Sequence, residues 1–123
     1  MRSLWIGSAG FLGAVSRYQI GEWISRHTRN AFPWGTLAVN LSGCLLLGFL
    51  ITALSERLVP QPDLRAAVTV GFLGAYTTFS TFAYETLRLG EDGSSGLAVL
   101  NVVASVGLGV LAAWAGTVLG RAV

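Results

Sequence analysis

GFLGAYTTFSTFAYE, residues 71–85, lies mostly within an uncharged run that extends from Ala66 to Tyr84. The run is almost long enough for a transmembrane helix, which needs roughly 20 apolar residues. Its centre, however, disfavours a regular helix. Glycine costs about 1 kcal/mol relative to alanine in a helix, and threonine hydroxyls compete for local carbonyls. We therefore predict a break here, and broken backbone at membrane depth indicates contact with protein or with a water-filled, polar space.

The composition of the 123-residue chain is typical of a membrane protein. It is 53% hydrophobic and 11% charged, whereas soluble domains contain about 25% charged residues. This leaves too little polar surface to cover a soluble globule. All eight basic residues are arginines, the formal net charge is only +2, and the arginines are scattered along the chain. A nucleic-acid-binding surface is therefore not expected.

Uncharged runs predict four transmembrane helices, at about residues 4–25, 35–56, 66–88 and 96–120. The first is long enough only if it continues through Arg17 to about Ile24. The connections are short and leave no extramembrane domain to house an enzyme. We therefore expect one all-α transmembrane domain over residues 1–123, without enzymatic activity.

The arginines are divided almost evenly between the two sides of such a bundle. One side has Arg2, Arg57, Arg65 and Arg121. The other has Arg26, Arg29 and Arg88, joined by Arg17 if that side chain leans outward. Orientation normally follows an excess of basic residues on the cytoplasmic side, and no excess exists here. The distribution favours insertion in both orientations and pairing of opposed copies about a two-fold axis in the membrane plane; the alternative is a weak bias that selects one orientation.

Two polar side chains fall within the predicted first and second spans. Arg17 either snorkels to the nearby helix end or attracts anions to a water-filled entrance. Asn40 shares a helix face with Thr36 and Gly43. It makes either an interhelical hydrogen bond or offers its amide to a pathway. On the fourth span, a stripe of small and polar residues repeats every four positions, at Asn101, Ser105, Gly109 and Ala113. It indicates either close packing or, through Asn101 and Ser105, an extension of a polar track.

The predicted third span has the most specific pattern. Phe79 and Phe82 are three residues apart and share a helix face, where lipid contact or packing is the usual role. Hydroxyl residues surround them: Thr77, Thr78, Ser80 and Thr81. Aromatic ring edges carry positive partial charge and hydroxyls donate hydrogen bonds, so this lining suits a small, strongly hydrated anion. Glu85 either ends the lining or pairs with Arg88 at a solvated helix end.

Three blocks of sequence resemble the Fluc-type (CrcB) fluoride channel family. They are GAVSRY at residues 13–18, FPWGTLAVN at residues 32–40 followed by Gly43 and Gly48, and GFLGAYTTFSTF at residues 71–82 followed by Glu85. The blocks cover three of the four predicted helices in order. The resemblance implies an antiparallel, dual-topology homodimer in the bacterial inner membrane, with two separate pathways for passive fluoride efflux that lowers cytoplasmic fluoride.

The resemblance also implies roles for individual residues. Fluoride would contact the ring edges of Phe79 and Phe82 and the amide of Asn40. Hydroxyls would line the track, at Ser80, Thr81 and Ser105. Arg17 would lie near the vestibule, and Glu85 at the far end of the track. A structural sodium ion would sit at the dimer centre, held by the backbone carbonyls of Gly74 and Thr77.

Two other functions remain open from the residues alone. A small multidrug-resistance-type exporter is also a four-span, often dual-topology protein, but it needs a proton-exchanging carboxylate deep in a helix. Here Glu22 and Glu85 lie near predicted helix ends, and Glu56, Glu91 and Asp92 lie in or beside loops. A non-transporting assembly subunit would also account for the glycine-rich helix faces.

Overall fold

The computed structural model describes residues 1–54 and 61–123, and every element of secondary structure in these two ranges is helical. Four helices follow one another: α1 at Arg2–His27, α2 at Trp34–Ala53, α3 at Pro62–Glu91 and α4 at Ser95–Ala122. The third begins four residues earlier than expected because Pro62 occupies its first turn, where a missing N–H costs nothing. The expected end of the second helix at residue 56, the loop position of Glu56 and the position of Arg57 lie outside the described residues.

The outer surface of the helices is apolar, as in a membrane protein. Within the described ranges, α2, α3 and α4 are long and apolar enough to cross a membrane, at 20, 30 and 28 residues. Helix α1 has 26 residues but is less apolar, because glycines, serines and Arg17 dilute its hydrophobic residues. Large apolar side chains point outward on α4; Val110 is 67% exposed and Trp114 is 63% exposed. Lipid, rather than water, is the solvent that such a surface requires.

Helix α3 changes geometry along its length. Its first part, α3a (residues 62–76), starts with a regular turn at Pro62–Ala66, widens to a π-helix at Ala67–Leu73 and ends with a short turn at Gly74–Tyr76. Thr77 and Thr78 then have extended backbone angles, with ψ of 156° and 117°. The second part, α3b, runs from Phe79 to Glu91. The Thr78 hydroxyl oxygen caps α3b by accepting from the Thr81 N–H at 3.3 Å, as threonine commonly does at a helix start.

Close backbone contacts at glycine join the helices in pairs, with α1 against α3a and α2 against α4. In the first pair, a side chain at Gly71 would come within 2.6 Å of the Ile6 carbonyl, and one at Gly13 would collide with the Phe72 carbonyl. In the second, Gly116 lies against the Leu45 carbonyl. Small residues allow such approach, which is how helices associate where lipid removes the hydrophobic driving force.

A small core places α2 beside the end of α3a. Val39 and Leu73 are almost completely buried against Tyr76. The Tyr76 hydroxyl lies 2.9 Å from the Ser42 hydroxyl, and the Phe72 and Tyr76 rings stack at 5.8 Å. The face of α2 that carries Asn40 is thereby fixed next to the two extended threonines.

Candidate functional site

Asn40 binds both backbone groups of Thr78. Its Oδ1 accepts from the Thr78 N–H at 2.8 Å, and its Nδ2 donates to the Thr78 carbonyl at 3.0 Å. A side-chain amide carries two N–H donors, so one N–H of Asn40 remains beyond this pair. The interhelical hydrogen bond that the sequence allowed is therefore present, and it joins the side chain of α2 to the extended backbone of α3 rather than to another side chain.

The same bonds change the surroundings of two carbonyls. In a regular helix, the Gly74 carbonyl would accept from the Thr78 N–H and the Thr77 carbonyl from the Thr81 N–H. Here the first N–H donates to Asn40 and the second to the Thr78 hydroxyl. The oxygens of Gly74 and Thr77 have thus lost their regular helical donors. Carbonyl oxygens are the type of ligand that hard cations take in proteins.

One cavity, of about 420 Å³, lies between α1, α2 and α3b; we call it the arginine cavity. Arg17 and Glu85 both line it, together with Glu22, Thr36, Thr78 and Thr81. Within the described residues no ion pair joins Arg17 to a carboxylate, whereas Glu22 pairs with Arg26 at 3.6 Å. The half-buried Arg17 side chain therefore brings a positive charge with no ion-pair partner among the described residues to a wall that also holds the carboxylates of Glu22 and Glu85.

Glu85 is held from α2 rather than from its own helix. Its Oε1 accepts from the Thr36 hydroxyl at 2.5 Å. Arg88, which the sequence offered as a partner for Glu85, instead lies 4.0 Å from Asp92. The alternative in which Glu85 and Arg88 simply form a solvated helix end does not describe this arrangement.

A second cavity, of about 330 Å³, lies on the other side of Thr78; we call it the phenylalanine cavity. Phe79 and Phe82 line it with their ring centroids 5.9 Å apart and their planes tilted by 55°. The remaining predicted site residues in its wall are Asn40, Gly74, Thr77 and Ser105, and Cys44, the single cysteine, joins them. Among residues 1–54 and 61–123, no Asp, Glu, Lys or Arg belongs to this lining, so the polar groups found there are neutral.

The two cavities share one lining residue, Thr78, which is buried. Thr81 lies on the arginine side, and its hydroxyl accepts from the Thr78 hydroxyl at 3.0 Å. Ser80, which was expected beside Thr81 on the track, is exposed and lines neither cavity. Successive residues of a helix point in different directions, so one register cannot bring both hydroxyls to the same wall.

Hydrogen bonds connect the phenylalanine cavity to the interior of the α3b–α4 contact. The Ser105 hydroxyl donates to Asn101 Oδ1 at 3.3 Å, and Asn101 Nδ2 donates to the Thr86 hydroxyl at 2.9 Å. Thr86 in turn donates to the Phe82 carbonyl at 2.8 Å. Asn101 is 1% exposed and lines neither cavity, so of the two polar residues in the α4 stripe only Ser105 reaches a cavity wall.

The sequence did not predict the hydrogen-bonding roles of three threonines. Thr36 holds Glu85, Thr86 holds Asn101, and Thr78 both caps α3b and receives Asn40. Thr78 had a local signal, since a threonine directly before a helical run is a typical N-cap. Thr36 and Thr86 act across helices, and such pairs depend on the relative rotation of the helices, which a single sequence does not contain.

The chain is similar in sequence to a known family of proteins. Residues 4–117 match the family described as CrcB-like protein, Camphor Resistance (CrcB). A fluoride-specific ion channel FluC of Acidobacterium capsulatum is 47% identical over 121 residues, covering 98% of this chain and 97% of the relative. A protein of the same name from Magnetococcus marinus is also 47% identical, over 98% of each chain, and one from Solibacter usitatus is 44% identical, over 98% and 99%. Because nearly its whole length matches the family, the chain belongs to the CrcB-like protein family.

Proposed function

We propose that this protein is a fluoride channel through which fluoride leaves the cytoplasm passively, down its electrochemical gradient. The observation that carries the proposal is the phenylalanine cavity, where two tilted aromatic rings stand among neutral polar groups and no charged side chain of the described residues lines the wall. The family relationship supports it, because the relatives bear the name fluoride-specific ion channel. They are ion channels rather than enzymes.

The pathway combines a charged entrance with a neutral passage. Arg17 attracts the anion into the arginine cavity, and the hydroxyls of Thr36, Thr78 and Thr81 line that wall. Beyond Thr78, the spare N–H of Asn40, the Ser105 hydroxyl and the ring edges of Phe79 and Phe82 replace the hydration shell. Neutral donors bind weakly enough to release the ion, which conduction requires. A buried full charge would hold it too tightly.

The working form is an antiparallel homodimer in the bacterial inner membrane, with one pathway for each protomer. Two features support this assembly. Arginines are divided almost evenly between the two sides of the bundle, and Phe79 is 80% exposed in the single chain although it lines the cavity. An opposed copy would cover that ring and close the open side of the passage. In this arrangement α1 also crosses the membrane, in addition to α2, α3 and α4. The Thr77–Thr78 interruption lies inside the bilayer.

A sodium ion at the dimer centre completes the proposal. The Gly74 and Thr77 carbonyls fit it, because they have lost their regular helical donors and their oxygens are ligands of the type that hard cations take. When bound, the ion would supply a fixed positive charge and a partner for these two carbonyl dipoles. Within the chain, Asn40 maintains the backbone geometry that turns both oxygens away from helical bonding.

Purified protein in liposomes loaded with potassium fluoride tests the function directly. We expect rapid fluoride release once a potassium ionophore relieves the charge imbalance, and almost no release of chloride from matched liposomes. Comparable chloride release would contradict the proposed selectivity. Proton-driven uptake of an organic cation would point to an exporter, and no flux of any kind would point to an assembly subunit.

A further inference from the structure

The direction of the Ser105 hydroxyl is set by a residue outside the cavity. Asn101 Oδ1 can only accept, so the Ser105 proton points at Asn101 over their 3.3 Å contact. Ser105 has no second proton. In this arrangement it presents only lone pairs to the phenylalanine cavity, and lone pairs repel an anion.

A half turn of the Asn101 amide reverses this direction without changing the space that the side chain fills. Oδ1 would then face Thr86, and Nδ2 would face Ser105. The Thr86 hydroxyl, which now donates to the Phe82 carbonyl at 2.8 Å, would donate to Oδ1 instead. The Phe82 carbonyl keeps the backbone bond of helix α3b. Nδ2 would donate to the Ser105 oxygen, and the Ser105 proton would be free to point into the cavity.

The two arrangements are closely matched in hydrogen bonding. In the first, the three side chains make bonds to one another and to the Phe82 carbonyl. In the second, the bond to that carbonyl is replaced by a bond from Ser105 to an ion in the cavity. An anion in the cavity would therefore favour the second arrangement, and its departure would favour the first. The full burial of Asn101, at 1% exposure, removes water as a competing partner.

We propose that Asn101 is a positioning residue for fluoride conduction, whose amide, held between Thr86 and Ser105, reverses to release the Ser105 proton toward fluoride in the phenylalanine cavity. This inference rests on the proposed function. Asn101 does not touch the ion. It acts through Ser105. The Thr86 hydroxyl can bond to either end of the amide, Nδ2 or Oδ1, because a hydroxyl both donates and accepts.

A double-mutant cycle on fluoride release from liposomes tests the inference. Ser105→Ala should slow release by about tenfold, the scale of one lost hydrogen bond to a charged group. Asn101→Leu should slow it by the same factor, because a serine without a side-chain partner bonds to the carbonyl four residues earlier in its own helix, and no amide N–H then holds the Ser105 oxygen so that its proton faces the cavity. If Asn101 acts only through Ser105, the double variant is no slower than either single variant. A purely structural role for Asn101 predicts multiplication of the two effects, to about a hundredfold. Multiplication, or wild-type flux in Asn101→Leu, overturns the proposal.

The Thr86 position provides a second test that does not require an apolar residue at position 101. Thr86→Val removes the hydroxyl that anchors the amide and should slow release, whereas Thr86→Ser should restore what valine loses. Wild-type flux in Thr86→Val, or flux in Thr86→Ser no higher than in Thr86→Val, contradicts the proposed relay from Thr86 through Asn101 to Ser105. Thr117→Val is the matched control on α4. Among the residues that the structure describes, the Thr117 hydroxyl bonds only to the Ala113 carbonyl of its own helix, and Thr117 lines neither cavity.

Wild-type protein in the same assay distinguishes a failure of the proposed channel function from a failure of the relay alone. If it releases no fluoride, the proposed function fails and the relay fails with it. If it releases fluoride while the Asn101 and Thr86 variants match it, only the relay is wrong.

Discussion

The amide of Asn40 and the backbone of Thr78 exchange two hydrogen bonds, at 2.8 and 3.0 Å. One side chain thus replaces both the donor and the acceptor that the helix lacks where it becomes extended. In a membrane no water is available to satisfy such groups, and each unsatisfied one is costly. This pair therefore joins the stability of the protein to the shape of the two cavities, since Thr78 lines both of them.

Replacing Asn40 by leucine should lower the free energy of unfolding by about 3 kcal/mol, because two backbone groups lose their partners together. Denaturant titration in detergent micelles measures this. Asn30→Leu is the control, since its exposed oxygen accepts only from the Trp34 indole at 2.9 Å and its loss should cost less than about 1 kcal/mol. Equal losses at the two positions would show that Asn40 does not support the interruption.

Phe82→Ile should reduce fluoride release roughly tenfold while the dimer stays intact, because isoleucine fills similar space without a positively polarised edge. Liposome efflux gives the rate, and size-exclusion chromatography gives the oligomeric state. The control is Phe11→Ile on α1, a ring that is 68% exposed and lines neither of the two cavities. Unchanged release in Phe82→Ile would remove this ring from the pathway.

Arg17→Gln should slow fluoride entry by about tenfold at low ionic strength, since charge lining a cleft raises the local concentration of its counter-ion. The difference from wild type should shrink near 1 M salt, where the Debye length falls to about 3 Å. Flux measured across a series of sodium gluconate concentrations gives both values. Arg121→Gln makes the same charge change at the exposed end of α4. A loss of flux in Arg17→Gln that is independent of salt would contradict electrostatic attraction.

Gly116→Ala should destabilise the protein by about 1–3 kcal/mol, the usual cost of overpacking, because its new methyl group would collide with the Leu45 carbonyl. Gly107→Ala on the same helix meets nothing within 4 Å and should be neutral or stabilising by up to about 1 kcal/mol. Denaturation curves in micelles compare the two variants. If they behave alike, the close α2–α4 contact is not required for stability.

Sodium should raise the Tm of the purified protein, because an ion bound only by the folded state stabilises it by about 2.7 kcal/mol at a hundred times its Kd. Potassium chloride at equal ionic strength controls for screening. The Gly74 and Thr77 carbonyls, which have lost their regular helical donors, are the expected ligands. Identical Tm values in sodium, potassium and an organic cation would argue against a sodium site.

The sequence correctly predicted an all-helical membrane protein, because both properties depend on composition and on the spacing of charges. It also placed Phe79 and Phe82 on a common face. The cross-helix contacts were not predictable, since they depend on how helices rotate against each other. Ser80 and Thr81 show the difference: they are neighbours with similar chemistry, yet only Thr81 lines a cavity. Asn101 shows it too, because its stripe predicted packing or a polar track, and the residue instead connects Ser105 to Thr86.

Cys44, half-buried in the wall of the phenylalanine cavity, is the sole thiol of the chain. The natural protein therefore carries its own chemical reporter at that wall, with no background cysteine to remove. Small methanethiosulfonate reagents of different size and charge would measure, by their rates of labelling, how wide the space is and which ions enter it. Protection of the thiol by fluoride, and not by gluconate, would follow occupancy of the passage in unaltered protein.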